Sequence, residues 1–221
     1  RWQHSSDLNY AWTWLEHILA HEFGHTLGLY HANWESCPPN TQFSKECRNY
    51  EYGNRFDVMG SGVFANNLNA AYRTRLGWAP DPIQITRSGH YSIRALGLPN
   101  PTSAVFHAFD KEYVVEYRKP VNFDTSLKGP ALMINRVTGY GTYIKSKIPW
   151  PEGGSKMEDF YLAPGQTLSS DGVQISFNSV SGDNALFTVK LGPDQGNAKP
   201  TGWIDIYRPP MDLITGWAYD P

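Results

Sequence analysis

Eleven residues near the start of the chain, His21 to His31, strongly constrain its fold. They read His-Glu-Phe-Gly-His-Thr-Leu-Gly-Leu-Tyr-His. On a helix, His21 and His25 lie one turn apart on a single face, close enough to ligate one metal ion. Gly28 allows the backbone to leave the helix in a conformation closed to most side chains, and the turn brings His31 back as a third ligand. We therefore predict a Zn²⁺ site with these three histidines as ligands.

The glutamate beside His21 predicts a catalytic rather than a structural metal site. Three protein ligands leave the fourth position of a tetrahedral zinc ion open for water. Glu22 is placed to take the proton of that water as general base. The motif therefore predicts a zinc-dependent hydrolase, and peptide bonds are its predicted substrate.

The residues around this motif independently predict a helix. Apolar side chains recur at three- and four-residue spacing, which is typical of an amphipathic helix. The stripe consists of Trp14, Leu15, Ile18, Leu19, Phe23, Thr26 and Leu27. His17 shares a face with His21, but a zinc motif in that register would need a carboxylate where the chain has Ile18. We expect His17 to lie at the surface or against the ligands.

The extended motif resembles the zinc signature of the metzincin clan of metallopeptidases. Residues 52–60 resemble the Met-turn of that clan, in which a methionine packs beneath the zinc ligands. The resemblance gives this role to Met59 and gives Asp57 the role of bracing the turn; an ordinary core methionine is the alternative. Within the clan, the chain is most similar to gametolysin-like and related secreted bacterial peptidases, over roughly residues 12–80. Some members place a tyrosine two positions after the methionine, where this chain has Ser61.

Composition and charge narrow the classes of partner. The chain has 221 residues, of which 40% are hydrophobic and 18% are charged, as in folded globular proteins. A formal charge of −2 gives no electrostatic case for binding nucleic acid or an anionic membrane. No apolar run approaches the roughly 20 residues of a membrane span. The predicted partner is a protein or peptide substrate.

The two cysteines, Cys37 and Cys47, lie ten positions apart between His31 and Met59. The prolines after Cys37 favour a disulfide that closes a long loop, with free thiols as the alternative. A disulfide agrees with a secreted or cell-surface protein.

The sequence predicts an α+β fold in three parts. Residues 1–82 form a metzincin-like catalytic part: the zinc helix, a mostly irregular stretch at 32–66 with the Met-turn, and a C-terminal helix at 67–77. Residues 83–192 form an antiparallel β-sandwich or jelly-roll-like domain, and residues 193–221 a linker and the start of a further β-domain. The predicted strands are 91–96, 104–109, 112–117, 173–177, 185–191, 203–207 and 214–221. Because the sheet that metzincins carry before the zinc helix is not recognisable, we interpret the chain as the middle of a larger secreted protein.

The sandwich domain has two interpretations. It is either a structural companion of the catalytic part or a module that holds a polymer or glycan. Aromatic side chains that could stack on such a ligand are Trp150, Tyr143 and Tyr140. Turns that could hold Ca²⁺ contain Asp110, Asp171 and Asp183, but none is a dense acidic loop, so no clear calcium motif is present.

Two alternatives to the peptidase remain from the sequence. One is a non-enzymatic surface or adhesion protein built on a peptidase-like core. The presence of Glu22 favours the enzyme, because inactive members of such families often lose this glutamate. The other is zinc-dependent hydrolysis of a non-peptide amide in a cell-wall polymer.

Overall fold

The computed structural model describes residues 5–45, 47–61, 67–149, 156–192, 201–208 and 213–219. Within these ranges the chain forms two large β-sheets, a separate hairpin, two α-helices and two short 3₁₀ helices. The elements are α1 (Ser5–Thr26), β1 (Ala32–Ser36), β2 (Arg48–Tyr50), α2 (Ala70–Arg75), β3 (Ile83–Gln84), β4 (Gly89–Arg94), β5 (Ala104–Ala108), β6 (Lys111–Arg118), a 3₁₀ turn (Asn122–Asp124), β7 (Ala131–Thr138), β8 (Gly141–Lys145), a second 3₁₀ turn (Met157–Phe160), β9 (Thr167–Ser170), β10 (Val173–Ser181), β11 (Asn184–Lys190), β12 (Thr201–Arg208) and β13 (Leu213–Tyr219). The predicted β-rich α+β composition is confirmed at this level.

The strand order separates the two large sheets. One has seven strands in the order β2-β1-β8-β7-β6-β5-β3, and the other has four in the order β4-β11-β10-β9. Two neighbouring pairs, β1 with β8 and β3 with β5, are parallel. The expectation of an antiparallel domain at 83–192 was wrong for the pair of β3 and β5, since β1 lies outside that range. The last two strands, β12 and β13, pair with each other in antiparallel fashion, in a region where the sequence predicted strands.

The two large sheets pack face to face over the main apolar core. Tyr117 on β6 and Phe177 on β10 meet across this interface, with ring centroids 5.8 Å apart. Buried side chains alternate with more exposed ones along β10 and β11, as expected for strands with one face on a core. The β-rich part of the prediction is therefore present as two packed sheets, and these sheets take strands from both halves of the chain.

Strands β1 and β2 lie in the segment 32–66, which the sequence predicted to be mostly irregular and in which it identified no strand. Strand β1 is buried although its sequence is largely polar. Its Glu35 is only 1% exposed, and the carboxylate pairs with Lys145 of β8 at 2.9 Å and with Arg136 of β7 at 2.8 Å. Partner strands on both sides then satisfy its backbone. Strands from both sides of residue 82 thus share one sheet, while the domain division itself stays a prediction.

The helix predicted around His21 and His25 is present as α1, but its apolar stripe is not its buried face. Leu19 and Phe23 are 61% and 59% exposed. The face that packs against the rest of the chain carries His21 and Gly24, both buried. Packing at this end of the molecule is set by the contact of the helix with Met59, and not by the hydrophobic pattern of the helix.

A small apolar cluster joins the end of α1 to the elements that follow it. Its buried members are Leu29, Ala32, Val58, Met59 and Tyr72. Helix α2 is shorter than the predicted 67–77 and begins after Asn69, whose side chain accepts a hydrogen bond from the backbone N–H of Tyr72 at 3.1 Å. The cluster fixes β1, the turn at Met59 and α2 around the helix end.

Candidate metal centre

The end of α1 is shaped by Gly28, as the sequence predicted. Gly28 has φ +79°, its N–H donates to the carbonyl of His25 at 2.9 Å, and the N–H of Leu29 donates to the carbonyl of Gly24 at 3.1 Å. These two bonds are the Schellman arrangement that closes a helix on a left-handed residue. The chain therefore reverses direction within three residues and returns with His31.

The three predicted ligands meet at one place. One ring nitrogen from each of His21, His25 and His31 lies within 4.8 Å of the others. The Nε2 atoms of His25 and His31 are 3.2 Å apart. Two nitrogens bound to one tetrahedral zinc ion at 2.0–2.1 Å would be about 3.3–3.4 Å apart, so this pair is already spaced for a shared ion.

The Nδ1 atom of each histidine is held by a hydrogen bond. His21 Nδ1 donates to the carbonyl of Val58 at 2.8 Å, and His25 Nδ1 donates to the carbonyl of Leu29 at 2.8 Å. A carbonyl only accepts, so both rings carry a proton on Nδ1 and leave Nε2 without one when neutral. His31 Nδ1 lies 2.7 Å from the carboxylate of Glu51, which imposes the same tautomer.

This tautomer makes the site a good match for a metal ion. Two Nε2 lone pairs at 3.2 Å repel each other unless a cation, a proton or a metal ion, lies between them. The third imidazole close to the same point favours a metal, because a proton bridges only two nitrogens. Imidazole nitrogens, each oriented by a hydrogen bond on the other side of its ring, are the donors that Zn²⁺ prefers.

The segment that resembles a Met-turn lies directly below this helix. Met59 is completely buried, and a Cβ atom placed on Gly24 would overlap its Sδ atom. Gly24 was not identified from the sequence as a site residue. It lies between His21 and His25, and the absence of a side chain there lets Met59 pack against the helix. Met59 thus packs against the helix that carries His21 and His25.

Asp57 braces this turn from inside. One carboxylate oxygen accepts from the backbone N–H of Met59 at 2.7 Å, and the other accepts from the backbone and side-chain N–H groups of Asn69 at 2.6 and 2.7 Å. Burial raises the pKa of Asp57 to about 6, against the opposing charge of Arg118. The carboxylate connects the turn to the start of α2.

The turn is also tied to the strand that follows His31. The N–H of Ala32 donates to the carbonyl of Met59 at 2.8 Å, and the N–H of Asn54 donates to the carbonyl of Ala32 at 3.2 Å. A Cβ atom on Gly60 would overlap the Asn54 carbonyl, so this backbone approach requires glycine. The third ligand and the methionine turn are therefore one unit.

The other residues singled out from the sequence lie around the centre. Glu22 is exposed on α1, one residue from His21 and three from His25. His17 is half-buried with its ring centroid 6.1 Å from that of His21; burial, and then the neighbouring His21, lower its pKa. Ser61 is exposed at the end of the turn.

A cavity of about 550 Å³ opens beside His25 and His31. Its other lining residues are Tyr30, Asn33, Asn49, Glu51, Tyr140 and Tyr143. Tyr140 is 79% exposed and its ring meets that of Tyr30 at 6.1 Å. Two of the three aromatic residues proposed for polymer contact, Tyr140 and Tyr143, thus line the cavity beside His25 and His31. The third, Trp150, lies outside the described residues.

The predicted disulfide between Cys37 and Cys47 is confirmed. It closes the far end of the β1–β2 hairpin, next to the ammonium group of Lys145, which lies 3.0 Å from the Sγ atom of Cys37. Among the described residues, the one other metal-like grouping besides the three histidines is Glu35 with these two cysteines, whose sulfurs are bonded to each other.

The aspartates considered for calcium have protein partners where their contacts are described. Asp171 accepts hydrogen bonds from the backbone of Phe43 and from the hydroxyls of Ser44 and Ser170. Asp183 pairs with Arg94 and Lys119. Asp110 lies in the turn between β5 and β6. Among the described residues, none of these aspartates belongs to a group of three or more histidine, cysteine, aspartate or glutamate side chains that could hold an ion.

Comparisons with protein-family models, with characterised proteins and with solved structures find no match to this chain. In the described part of the chain, no helix is long and apolar enough to cross a bilayer.

Proposed function

We propose that this chain is the catalytic part of a secreted, zinc-dependent endopeptidase with a metzincin-like active site. The observation that carries the proposal is the convergence of three imidazoles whose Nδ1 atoms are all held, with two Nε2 atoms 3.2 Å apart. The left-handed conformation of Gly28 at the end of the helix and the packing of Met59 against Gly24 support a metzincin-like active site. The disulfide supports a location outside the cytoplasm.

His21, His25 and His31 would hold the ion. Bound there, Zn²⁺ supplies Lewis acidity toward a water molecule and a peptide carbonyl. Glu22 accepts the proton of the water as it attacks the scissile carbonyl, and then delivers that proton to the departing amine. Glu22 is exposed and lies three residues before His25, a spacing at which side chains on one helix are neighbours.

The cavity beside the ligands gives a substrate a place to lie. Tyr30 and Tyr140 offer exposed aromatic surface at its edge, and Asn49 adds an exposed amide. A peptide backbone can form hydrogen bonds with amide groups, and its side chains can pack on the tyrosine rings. This polar and aromatic lining suits a polypeptide or another hydrated polymer.

The test is cleavage of an unstructured protein, casein, by the zinc-loaded chain, together with its zinc content. We expect one zinc ion per chain and cleavage that a chelator removes. Glu22→Ala should keep the zinc and lose at least about 100-fold in rate, because it removes the general base. Glu16→Ala, an exposed glutamate on the same helix, is the matched control and should retain the wild-type rate.

The alternatives give different results in the same experiment. A chain that binds zinc but cleaves peptidoglycan amides and not casein would be a cell-wall hydrolase. A chain that binds no zinc and hydrolyses neither substrate would support a non-enzymatic surface protein. Retention of the wild-type rate by Glu22→Ala would contradict the assigned base.

A further inference from the structure

The third ligand differs from the other two because it lies outside the helix. His21 and His25 are held by the backbone of α1, whereas His31 follows the left-handed exit and immediately precedes β1. Its ring can point at the shared ion only if something outside the helix orients it. The contacts that do so come from the turn after β2.

Glu51 provides the first contact. Its carboxylate lies 2.7 Å from His31 Nδ1, whereas His21 and His25 donate to backbone carbonyls. His31 is thus the one ligand of the three whose hydrogen-bond partner carries a formal charge. A carboxylate in this position fixes the ring orientation and increases the electron-donating strength of Nε2.

Tyr52 provides the second contact. Its ring lies over the imidazole of His31, with centroids 3.9 Å apart, and reaches His21 at 5.8 Å. To place it there the backbone takes φ +57°, a left-handed conformation uncommon for a bulky residue. Strain of this kind persists where the surroundings determine it, and it clusters at functional sites.

The turn is held firmly enough to act on His31. The N–H of Tyr52 donates to the side-chain oxygen of Asn33 at 3.0 Å, and the side-chain nitrogen of Asn33 donates to the carbonyl of His31 at 3.3 Å. One step earlier, Tyr50 stacks on Trp34, its direct partner across the hairpin, with centroids 3.9 Å apart. The two strands therefore fix Glu51 and Tyr52 relative to His31.

We propose that Glu51 and Tyr52 form a ligand clamp that holds His31 in its ligating orientation and sets the affinity of the centre for Zn²⁺. Both act as positioning residues, through His31 and not on the substrate. The inference rests on the proposed metal site and extends it, because the sequence motif accounts for the ligands and the base but not for what orients the third ligand.

The test is zinc affinity, measured by competition with a chelating indicator on the full chain. Glu51→Ala should weaken zinc binding about 10- to 100-fold, as is typical when a partner of a metal-bound histidine is removed. Glu51→Gln keeps a hydrogen-bond acceptor without the charge, and should fall between the wild type and Glu51→Ala. Tyr52→Gly, which tolerates the positive φ and removes the ring, should also weaken binding.

The matched control is Glu112→Ala, because Glu112 lies 3.7 Å from His107 in a histidine–carboxylate pair on β5 and β6. It should leave the zinc affinity within about twofold of the wild type. Thermal unfolding of the zinc-free proteins separates the clamp from a general loss of structure. Since the Glu51 side chain is 68% exposed, its removal should barely change that transition.

Failure of the clamp and failure of the proposed function are distinguishable. If the wild type binds one zinc ion and Glu51→Ala binds it equally well, the clamp is wrong and the metal centre stands. If the wild type binds no zinc, both the proposed metal centre and the proposed clamp are wrong. Binding of Co²⁺ provides a spectroscopic check, since a reoriented His31 should change the visible absorption of the bound ion in Glu51→Ala but not in Glu112→Ala.

Discussion

The Sδ atom of Met59 lies where a Cβ atom of Gly24 would stand, so the methionine packs directly against the backbone of the helix that carries His21 and His25. Nothing larger than glycine fits at position 24 unless Met59 moves. Gly24→Ala should therefore destabilise the zinc-free chain by about 1–3 kcal/mol, although alanine is the better helix former. Urea unfolding measures this change.

A second variant separates this overlap from other effects of the substitution. In a Met59→Ala background the space above position 24 is open, and Gly24→Ala should become neutral or stabilising by up to about 1 kcal/mol. Gly129→Ala serves as a control, because a Cβ atom there meets nothing within 4 Å. Equal destabilisation by Gly24→Ala in both backgrounds would show that Met59 is not the obstacle.

The motif at 21–31 predicted that its three histidines meet, because local chain geometry alone brings them together. Helical spacing aligns His21 with His25, and a glycine at position 28 returns His31 to the same point. The contacts that orient the ligands come from residues far along the chain, such as Val58 and Glu51. No local pattern encodes them, so they were missed.

Strands were predicted correctly where buried and exposed residues alternate along the sequence. They were missed where contacts with distant residues determine which side chains are buried. Strands β10 and β11 show the pattern of a half-buried strand, whereas β1 consists largely of polar residues. Strand β1 is nevertheless buried, because Glu35 forms ion pairs with Lys145 and Arg136 on neighbouring strands. An ion pair between residues more than 100 positions apart leaves no periodic signal in the sequence.

The free energy of unfolding should depend on pH through the buried carboxyl group of Asp57. Its pKa of about 6 in the folded chain lies above the ordinary value of 3.8, so between these values the folded state holds the proton more tightly than the unfolded chain. Its contribution to the free energy of unfolding therefore falls as the pH rises from about 4 to 6, by up to about 3 kcal/mol, and is constant above that range.

The measurement is urea unfolding of the zinc-free chain at several pH values, for the wild type and for Asp57→Asn. The difference between the two free energies of unfolding should slope between pH 4 and 6 and be flat from pH 7 to 8. A difference that does not change with pH would mean that Asp57 keeps its ordinary pKa. All other ionisable groups are shared by the two proteins, so their effect cancels in the comparison.

Tyr140 should contribute to substrate binding and not to the metal centre. It is 79% exposed at the edge of the cavity and meets Tyr30 there. Tyr140→Ala should raise KM for a peptide substrate about 2- to 10-fold through the loss of aromatic contact, with zinc affinity unchanged. Leu186→Ala, an exposed apolar residue on β11 that does not line the cavity, should leave KM unchanged. An unchanged KM in Tyr140→Ala would place the substrate elsewhere.

The disulfide should support the metal centre from the far end of the hairpin. Strand β2 pairs only with β1 among the described strands, and the bond between Cys37 and Cys47 closes the hairpin opposite to His31 and Glu51. Removing both cysteines, as Cys37→Ser with Cys47→Ser, should destabilise the chain by about 3 kcal/mol for a loop of this length.

The same double variant should bind zinc more weakly, because a loosened β2 no longer holds Glu51 against His31. At a temperature where the variant remains folded, zinc competition should give an affinity several-fold below the wild type, whereas adding Glu51→Ala to the variant should reduce it by less than the same substitution does in the wild type. Such non-additivity is expected when two changes act on one contact. Full additivity would mean that the disulfide stabilises the hairpin without acting on the metal centre.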